Sequence, residues 1–454
     1  MARLRTFPKN FKWGVSTSSY QIEGGVHADG RGESIWDVFS HTPGKVLNND
    51  TGDEAADSYH RWPEDLALIK MLGVSDYRFS IAWPRIQPAG RGTINEAGMA
   101  YYERIVDDLL QAGIEPMITL FHWDLPSALP GAWLNRDTCA AFADYADVVT
   151  RRLGDRVKMW TTINEPFCAS FISYYSGDHA PGERNIAHAL IAGHYVQLAH
   201  GMAVPVIRAN VPDAVVSLVV NPTMTYPATP SEADRNANRF HDGVINRWLM
   251  DAQYGKGYPS DMIADFQRLG IWQEVEPVIQ PGDMETIAAP TDLLGVNYYS
   301  PHRVAADAEH PEQPELGHMV VGSGAEVTDF GWEIYPQALP ELLRWVMDTY
   351  APQRLLIAEN GASYHDGPGA DGRVHDARRV SYLRRHLNAV ADAIESGLPV
   401  EGYFCWSLLD NFEWAAGYSQ RFGLVHVDFA TKKRTPKDSA YFFQQVIAAN
   451  AVEE

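Results

Sequence analysis

The sequence has few cysteines, no cluster of basic residues and no long uninterrupted apolar run. Its three cysteines, Cys139, Cys168 and Cys405, form no Cys-x-x-Cys pair and have no zinc-ligand spacing. A small and odd number of cysteines fits a reducing compartment better than a disulfide framework. The first ten residues lead into no apolar signal segment, and no run of about 18 apolar residues predicts a membrane span. We therefore expect a soluble cytoplasmic protein with no membrane partner.

Positive charge is also scarce. The chain has 37 lysine and arginine residues against 58 aspartate and glutamate residues, so its formal net charge is −21. Such a charge repels polyanions, and nucleic-acid binding normally needs a basic face that displaces phosphate counterions. The composition argues against a nucleic-acid partner and predicts slow approach of phosphorylated small molecules.

Apolar residues, in contrast, are sufficient for a large core. The chain has 454 residues, of which 45% are hydrophobic and 21% charged, and this is typical of globular proteins. Eight β-like apolar runs can be recognised, at residues 11–17, 76–82, 114–121, 157–163, 214–220, 293–298, 354–358 and 400–407. Amphipathic, helix-like segments separate them, among them residues 62–72, 102–112, 138–153, 185–210, 338–350 and 376–396.

This alternation predicts an α/β fold. Strands that alternate with helices pair in parallel through right-handed crossovers, and eight such units close into a (β/α)8 TIM barrel. A doubly wound open sheet is the alternative, but no Gly-x-Gly-x-x-Gly motif follows the first strand. The long segments 26–57 and 299–330 are rich in Gly, Pro, Asp and His, as expected of βα loops at the rim of a pocket. We expect residues 1–454 to form a single catalytic barrel.

Polar and aromatic residues follow or end each predicted strand. In chain order they are Gln21, Arg78, His122, Asn164 with Glu165, Asn221, Asn297 with Tyr299, Glu359 with Asn360, and Trp406. In a parallel barrel all carboxyl ends open on one face, so these side chains are predicted to converge.

Two of these residues, Glu165 and Glu359, are carboxylates on the fourth and seventh predicted strands. Glycoside hydrolysis needs two carboxyl groups that flank the scissile bond, and in retaining enzymes these lie about 5–5.5 Å apart. The 13 tryptophans, 21 tyrosines and 17 phenylalanines supply rings that can stack on sugars. The pattern indicates a glycosidase.

Several motifs resemble those of glycoside hydrolase family 1. Residues 162–166 (Thr-Ile-Asn-Glu-Pro) and 357–361 (Ile-Ala-Glu-Asn-Gly) are similar to the acid/base and nucleophile motifs of that family. Residues 11–24 are similar to its N-terminal signature. The similarity continues in family order over nearly the whole chain, through residues 77–85, 121–124, 297–299 and 406–414. The chain resembles the bacterial type of β-glucosidase in that family.

The resemblance implies a (β/α)8 barrel that hydrolyses terminal, non-reducing β-linked sugars with retention, chiefly in β-glucosides and cello-oligosaccharides. Glu165 would be the acid/base and Glu359 the nucleophile. Arg78 and Tyr299 would hold Glu359, and Trp406 would form the floor under the terminal sugar. The residues expected to bind substrate are Gln21, His122, Trp123, Asn164, Asn297, Tyr299, Trp332, Trp406, Glu413, Trp414 and Phe422.

Three alternatives are disfavoured. Relatives with 6-phospho-β-glycosidase activity resemble this chain but carry Ser, Lys and Tyr in place of Glu413, Gln420 and Phe422. Plant-type thioglucosidases have Gln in place of Glu165. A catalytically dead carbohydrate-binding barrel would need a lost carboxylate. One departure from the family pattern, Phe167 where Trp is common, concerns leaving-group preference and not the reaction.

No metal or other cofactor is expected. His188, His194 and His200 lie at six-residue steps, which place them on different faces of a helix. The two-carboxylate route needs no Lewis acid. The predicted partners are small β-glycosides and oligosaccharides. Glucosides, galactosides and fucosides remain alternatives, and several oligomeric states remain open.

Overall fold

A closed barrel of eight parallel strands organises the computed structural model, which describes residues 3–307, 317–322 and 324–454. We label the barrel strands in chain order as β1 Lys12–Ser16, β2 Asp76–Ser80, β3 Glu115–Phe121, β4 Met159–Asn164, β5 Val215–Val220, β6 Leu293–Asn297, β7 Leu355–Asn360 and β8 Val400–Trp406. Each strand pairs with its sequence neighbours, and β8 pairs with β1 to close the sheet.

All eight predicted strands are confirmed, with ends that differ by at most two residues. One of the two-residue differences is at β7, which continues through Glu359 to Asn360. The apolar run ends at Ala358, but backbone pairing does not stop there, because Glu359 pairs with Asn297 of β6 and Asn360 with Cys405 of β8. Glu359 is therefore held by a rigid strand and not by a loop.

Alternation along the strands divides the apolar residues into two cores. One face points into the barrel, where Met117, Met159, Val219, Leu356 and Phe404 belong to a separate buried cluster. The other face packs against the surrounding helices in a much larger cluster. This division follows from the two-residue period of a strand, which sends successive side chains to opposite faces of the sheet.

The predicted crossover helices are also confirmed. The long helices are Ser58–Leu72, Glu96–Gln111, Asp137–Leu153, Ile186–Asn210, Ala338–Tyr350, Ala377–Glu395 and Asp438–Ala449. The connection from β5 to β6 instead uses the shorter helices Glu232–Asp242, Trp248–Gln253, Ser260–Arg268, Trp272–Val275 and Asp283–Ile287. The same connection also contains the short helical segments Gly243–Arg247 and Glu276–Val278. Short helical segments elsewhere are Ser19–Ile22, Ala28–Gly30, Ile35–Ser40, Leu47–Asn49, Trp83–Ile86, Ala132–Leu134, Cys168–Ser176 and Trp414–Ala416.

One helix, Ile186–Asn210, is long and apolar enough to cross a membrane by length and composition. It is a core helix here, because 78% of its most apolar window is buried inside the fold. Its start is defined by Asn185, whose side-chain oxygen accepts hydrogen bonds from the backbone N–H groups of Ala187 and His188.

Small sheets of two or three strands complete the architecture outside the barrel. Leu4–Thr6 pairs with Ala451–Glu453, so the two ends of the described chain lie together. The strands Thr225–Pro227, His302–Ala305 and His318–Val320 form a second sheet, and Val425–Val427 with Arg434–Pro436 form a third. Within the predicted rim segment 299–330, residues 308–316 and 323 lie outside the described residues.

Candidate active site

The polar residues predicted from the strand ends come together at the carboxyl end of the barrel. Arg78 lies within β2, Asn164 ends β4, and Glu165 follows it directly. Asn297 ends β6, and Trp406 ends β8. This placement follows from the parallel topology, which brings residues far apart in sequence to one face.

Glu359 is buried and accepts a hydrogen bond on each carboxylate oxygen. Arg78 donates from Nη1 to Oε1 at 2.5 Å, and the Tyr299 hydroxyl donates to Oε2 at 2.6 Å. The Arg78 side chain is fully buried, so this ion pair is shielded from water. Two donors, one of them cationic, stabilise the ionised form of Glu359.

Glu165 has neutral partners instead. Asn297 donates from Nδ2 to Oε1 at 2.6 Å, and the Cys168 thiol donates to Oε2 at 2.9 Å. Burial, followed by the negative charge of Glu359, raises the pKa of Glu165 to about 7. A pKa near neutrality lets Glu165 give up a proton and take one back at the pH where the protein works.

A continuous chain of hydrogen bonds joins the two carboxyl groups. Asn164 Oδ1 accepts from Arg78 Nη2 at 2.6 Å and from Asn297 Nδ2 at 3.2 Å. Arg78 also contacts Glu359, and Asn297 also contacts Glu165. Both carboxyl groups are thus positioned relative to one shared amide, Asn164.

Three site residues other than glycine have left-handed backbone conformations. Their φ angles are 47° at Glu165, 79° at Trp123 and 48° at Trp414. This conformation costs a bulky residue on the order of 1–3 kcal/mol and persists only where the surrounding structure imposes it. At Glu165 the backbone N–H is tied to the Val219 carbonyl of β5 at 2.8 Å. The strain turns the chain sharply at the end of β4, where the carboxyl group must face the pocket.

A second wall of the pocket consists of polar residues from the loops after β1 and β8. Gln21 donates from Nε2 to Glu413 Oε2 at 3.4 Å, to Asn411 Oδ1 at 3.1 Å and to the Phe412 carbonyl at 3.0 Å. Burial, with the charges of Glu359 and Glu165, raises the pKa of Glu413 to about 8. Glu413 therefore takes up a proton more readily than an exposed carboxyl group does, and in that form it can donate as well as accept a hydrogen bond.

Aromatic rings enclose the same space. The His122 ring lies nearly parallel to Trp406 and Trp414, with centroids 5.8 Å and 6.1 Å apart, and Trp123 packs against Trp414 at 4.6 Å. Burial and the nearby Arg78 charge hold the pKa of His122 well below its usual range. His122 is therefore neutral, and its Nε2 accepts from Asn164 Nδ2 at 3.2 Å. This leaves Nδ1, which has no protein partner, as a buried donor for a ligand hydroxyl.

The predicted residues Trp332 and Phe422 lie next to Tyr299. The Trp332 centroid is 5.3 Å from that of Tyr299 and 5.8 Å from that of Phe422. Since Tyr299 contacts Glu359, this group of aromatic rings lies on the Glu359 side of the pocket.

Gly361 explains the last position of the 357–361 motif. A Cβ atom at this residue would lie 1.7 Å from the Trp406 carbonyl oxygen, a distance that no side chain tolerates. The absence of a side chain lets the chain after β7 pass directly over β8. Glu359 and Trp406 can therefore share one pocket.

Sequence reasoning missed several residues that contact the site. Cys168 binds Glu165, Asn411 binds Gln21, and the His179 ring packs against Trp123 with centroids 5.0 Å apart. Cys168 could have been found, because it lies three residues after Glu165 and the backbone turns there, with Cys168 N–H bonded to the Glu165 carbonyl. His179 is 13 residues from the nearest motif residue, Pro166, and nothing in its neighbourhood signals a role.

The histidines considered as metal ligands have separate partners. His194 contacts Tyr258 and Asp283, and His200 contacts Thr162. Within residues 3–307, 317–322 and 324–454, no group of three or more His, Cys, Asp or Glu side chains is arranged to hold a metal ion.

Comparison with known proteins shows the same architecture and family. The chain is 45% identical to "Beta-glucosidase A" of Thermotoga maritima over 454 residues, which cover 99% of this chain and all of that protein. It is 44% identical to "1,4-beta-D-glucan glucohydrolase" of Thermotoga neapolitana over 453 residues, again 99% and 100% of the two chains. The solved structure of a family 1 β-glucosidase from Thermotoga maritima superposes with a TM-score of 0.94 at 44% identity, covering 99% and 100% of the two chains. That enzyme has also been solved in complex with deoxynojirimycin.

The match to a family profile covers almost every residue. The profile "Glycosyl hydrolase family 1" spans residues 3–452, so it includes all eight barrel strands and both strand-end carboxylates. The fold, the site and the full-length relatives agree. The chain belongs to glycosyl hydrolase family 1.

Proposed function

We propose that this chain removes terminal, non-reducing β-D-glucosyl residues by a retaining double displacement, with Glu359 as nucleophile and Glu165 as acid/base. That it is a glycoside hydrolase acting on β-glucosides is shown by full-length similarity to β-glucosidases. The observation that carries the assignment of roles is the contrast between the two carboxyl groups. Glu359 is paired with Arg78, whereas Glu165 has neutral partners and a raised pKa.

In the first step Glu359 attacks the anomeric carbon and the bond to the leaving oxygen breaks. The proton on Glu165 moves to that oxygen, so the aglycone departs as a neutral alcohol. The product on the enzyme is a covalent glycosyl ester of Glu359. Arg78 and Tyr299 hold Glu359 on both oxygens and so orient it for attack.

In the second step the roles follow from the same electrostatics. Once Glu359 is an ester, its negative charge is gone, and one of the two causes of the raised Glu165 pKa is removed. The carboxylate form of Glu165 then becomes favourable, and it takes a proton from water. Water attacks the anomeric carbon, Glu359 leaves, and the configuration is retained.

The terminal sugar is proposed to lie among Gln21, His122, Glu413 and Trp414, on the Trp406 ring. Gln21 and Glu413 supply donors and acceptors on one side, and the free His122 Nδ1 supplies a further donor. The Glu413 carboxyl group suits sugar hydroxyls, whereas a 6-phosphate needs cations and would be repelled by a carboxylate at this place. Gln420, where phospho-glycosidases have lysine, is neutral and accepts a hydrogen bond from Ser363 at 2.7 Å. This arrangement favours neutral sugars over 6-phospho sugars.

The aglycone is proposed to lie toward Trp332, Phe422 and Phe167. The first two rings adjoin Tyr299, and Phe167 stacks on Phe171 with centroids 5.4 Å apart. Such a wall suits cello-oligosaccharides and aryl glucosides.

We also infer a single catalytic barrel, a cytoplasmic location and a part in the breakdown of cellulose fragments. The relative from Thermotoga neapolitana carries the name glucan glucohydrolase.

Two measurements test the assignment. The first product released from 4-nitrophenyl β-glucoside, observed by proton NMR before mutarotation, should be β-glucose, and initial α-glucose would exclude Glu359 as nucleophile. Azide should accelerate Glu165→Ala on a dinitrophenyl glucoside and produce β-glucosyl azide. If azide instead rescued Glu359→Ala and the product was β-glucosyl azide, the two roles would be reversed.

A further inference from the structure

A buried thiol touches the carboxyl group that carries the proton. Cys168 lies at the start of the helical segment Cys168–Ser176, and its Sγ donates to Glu165 Oε2 at 2.9 Å. Both residues are at most 5% exposed. Nothing in the double displacement itself requires a thiol at this place.

The thiol is held in its orientation from the other side. Asn221, directly after β5, donates from Nδ2 to the Cys168 sulfur at 3.6 Å. A thiol can accept at sulfur and donate through S–H at the same time. Occupation of the sulfur by Asn221 therefore directs the S–H toward Glu165.

The two oxygens of Glu165 thus have unequal donors. Oε1 accepts from an amide, Asn297, at 2.6 Å, and Oε2 accepts from the weaker thiol donor. Hydrogen bonds donated to a carboxylate stabilise its charged form, and strong donors do so more than weak ones. The thiol at Oε2 therefore orients the group and lowers its pKa, but less than a hydroxyl donor at the same place would.

We infer that Cys168 is a positioning residue for Glu165: its thiol, directed by Asn221, orients the carboxyl group and adjusts how tightly that group holds the proton delivered to the leaving group. The inference rests on the proposed role of Glu165 as acid/base. The thiol stays a thiol, because burial and the neighbouring Glu165 charge raise its pKa well above the usual range.

Other charged and titratable groups also act on Glu165. Glu359 on β7 and Arg78 on β2 affect its pKa directly, and the buried groups Glu413 and Tyr299 interact with it electrostatically. Substitution of Cys168 changes none of these groups. A difference between Cys168 variants therefore reports the donor at Oε2.

The test is the alkaline limb of the pH profile of kcat/KM, measured with cellobiose, whose leaving group needs a proton. Cys168→Ser places a stronger donor at Oε2, and we expect the limb to move to lower pH by about half a unit or more. Cys168→Ala removes the donor, and we expect a shift of similar size to higher pH. Cys139→Ser is the matched control, since Cys139 is also buried and donates to a carbonyl, that of Tyr195; its profile should equal that of the unaltered chain.

A second substrate separates this effect from a structural one. Dinitrophenyl β-glucoside needs no proton on its leaving group, so with it the Cys168 variants should keep the kcat/KM of the unaltered chain at alkaline pH. Equal losses on both substrates, no shift, or shifts of Ser and Ala in the same direction would overturn the inference. If Cys168→Ser does not fold, as judged by thermal melting, Asn221→Ala provides the second variant, with an expected shift to higher pH because the thiol loses its orientation; an unmoved limb there would likewise overturn it.

Failure of the acid/base assignment itself has a different signature. In that case the unaltered chain would show the same alkaline limb with cellobiose and with dinitrophenyl glucoside. Glu165→Ala would then lose activity equally on both substrates. Neither outcome depends on Cys168.

Discussion

The β7 side and the β4 side of the pocket hold chemically identical groups in different ways. On the β7 side Glu359 accepts from a buried guanidinium and a phenol, whereas on the β4 side Glu165 accepts from an amide and a thiol. Ionisation of both Glu165 and Glu359 is unfavourable, because two like charges would then lie close together in a buried site. Arg78 pairs with Glu359, whereas the donors to Glu165 are neutral. In the proposed mechanism the roles of nucleophile and acid are therefore assigned by neighbours, not by the carboxyl groups themselves.

The largest expected effect comes from removing the charged member of the pair. Glu359→Gln keeps the shape but has no nucleophilic oxygen, so we expect kcat on 4-nitrophenyl β-glucoside to fall by on the order of 10⁴-fold or more. Glu165→Gln should lose far less on dinitrophenyl β-glucoside, because that leaving group departs without a proton. Equal losses in the two variants on that substrate would mean that the two sides are not distinct in role.

Arg78 should be the next most sensitive position. Arg78→Met leaves Glu359 buried with Tyr299 as its remaining donor, and breaking a buried ion pair in this way costs about 3–5 kcal/mol. We expect kcat/KM to fall by roughly 10²–10³-fold. Tyr299→Phe removes a single hydrogen bond and should lose about tenfold.

The matched control for Arg78→Met is Arg434→Met. Arg434 forms a similarly buried pair with Asp65, as their side chains are 4% and 2% exposed. The control should lower the melting temperature and leave kcat/KM unchanged. A similar loss of kcat/KM in both variants would indicate that Arg78 acts through general stability.

Glu413 provides a test outside the Glu165–Glu359 pair. Glu413→Ala removes a group expected to bind the outer hydroxyls of the terminal sugar, so kcat/KM on 4-nitrophenyl β-glucoside should fall roughly tenfold or more. The 6-phosphate of that substrate should be turned over almost not at all by the unaltered chain. Comparable rates on both substrates would revive the phospho-glycosidase alternative.

The smallest effect is a pH dependence. The pKa of Glu165 is raised above its ordinary value to about 7, and the first step needs its protonated form. The kcat/KM for cellobiose should therefore be highest below that pH and decline as the pH rises through it. Initial rates across pH 5–9 measure this limb. A limb that persists in Glu165→Gln would belong to another group.

Much of the fold was predictable because it depends on local patterns. Eight apolar runs with helices between them leave few closed arrangements, and each strand was located to within two residues. The connection between β5 and β6 was less predictable, because its five short helices have no long apolar stripe. The end of β7 was also missed, since polar residues such as Glu359 continue the backbone pairing after the apolar run stops.

The candidate active site was predictable to a similar extent as the fold. The family motifs identified the two carboxylates and the residues around them, and parallel topology explains why they meet. Contacts made by residues outside those motifs were not predictable. His179 reaches Trp123 from a loop, and Cys168 was counted among the cysteines only as evidence about the compartment.

The sequence alone determined the fold class, the family and the identity of the two catalytic candidates, because strand periodicity and motif order are properties of the chain itself. Tertiary structure decided which partners each carboxyl group has. Arg78 lies 281 positions from Glu359 in the chain, and the hydrogen bond between them exists only because β2 and β7 face one interior. The same closure buries Glu165 beside Glu359 and places the Cys168 thiol and the Asn297 amide on its two oxygens. Burial and charge depend on three-dimensional neighbours, so the protonation states that the reaction needs arise only when the barrel closes.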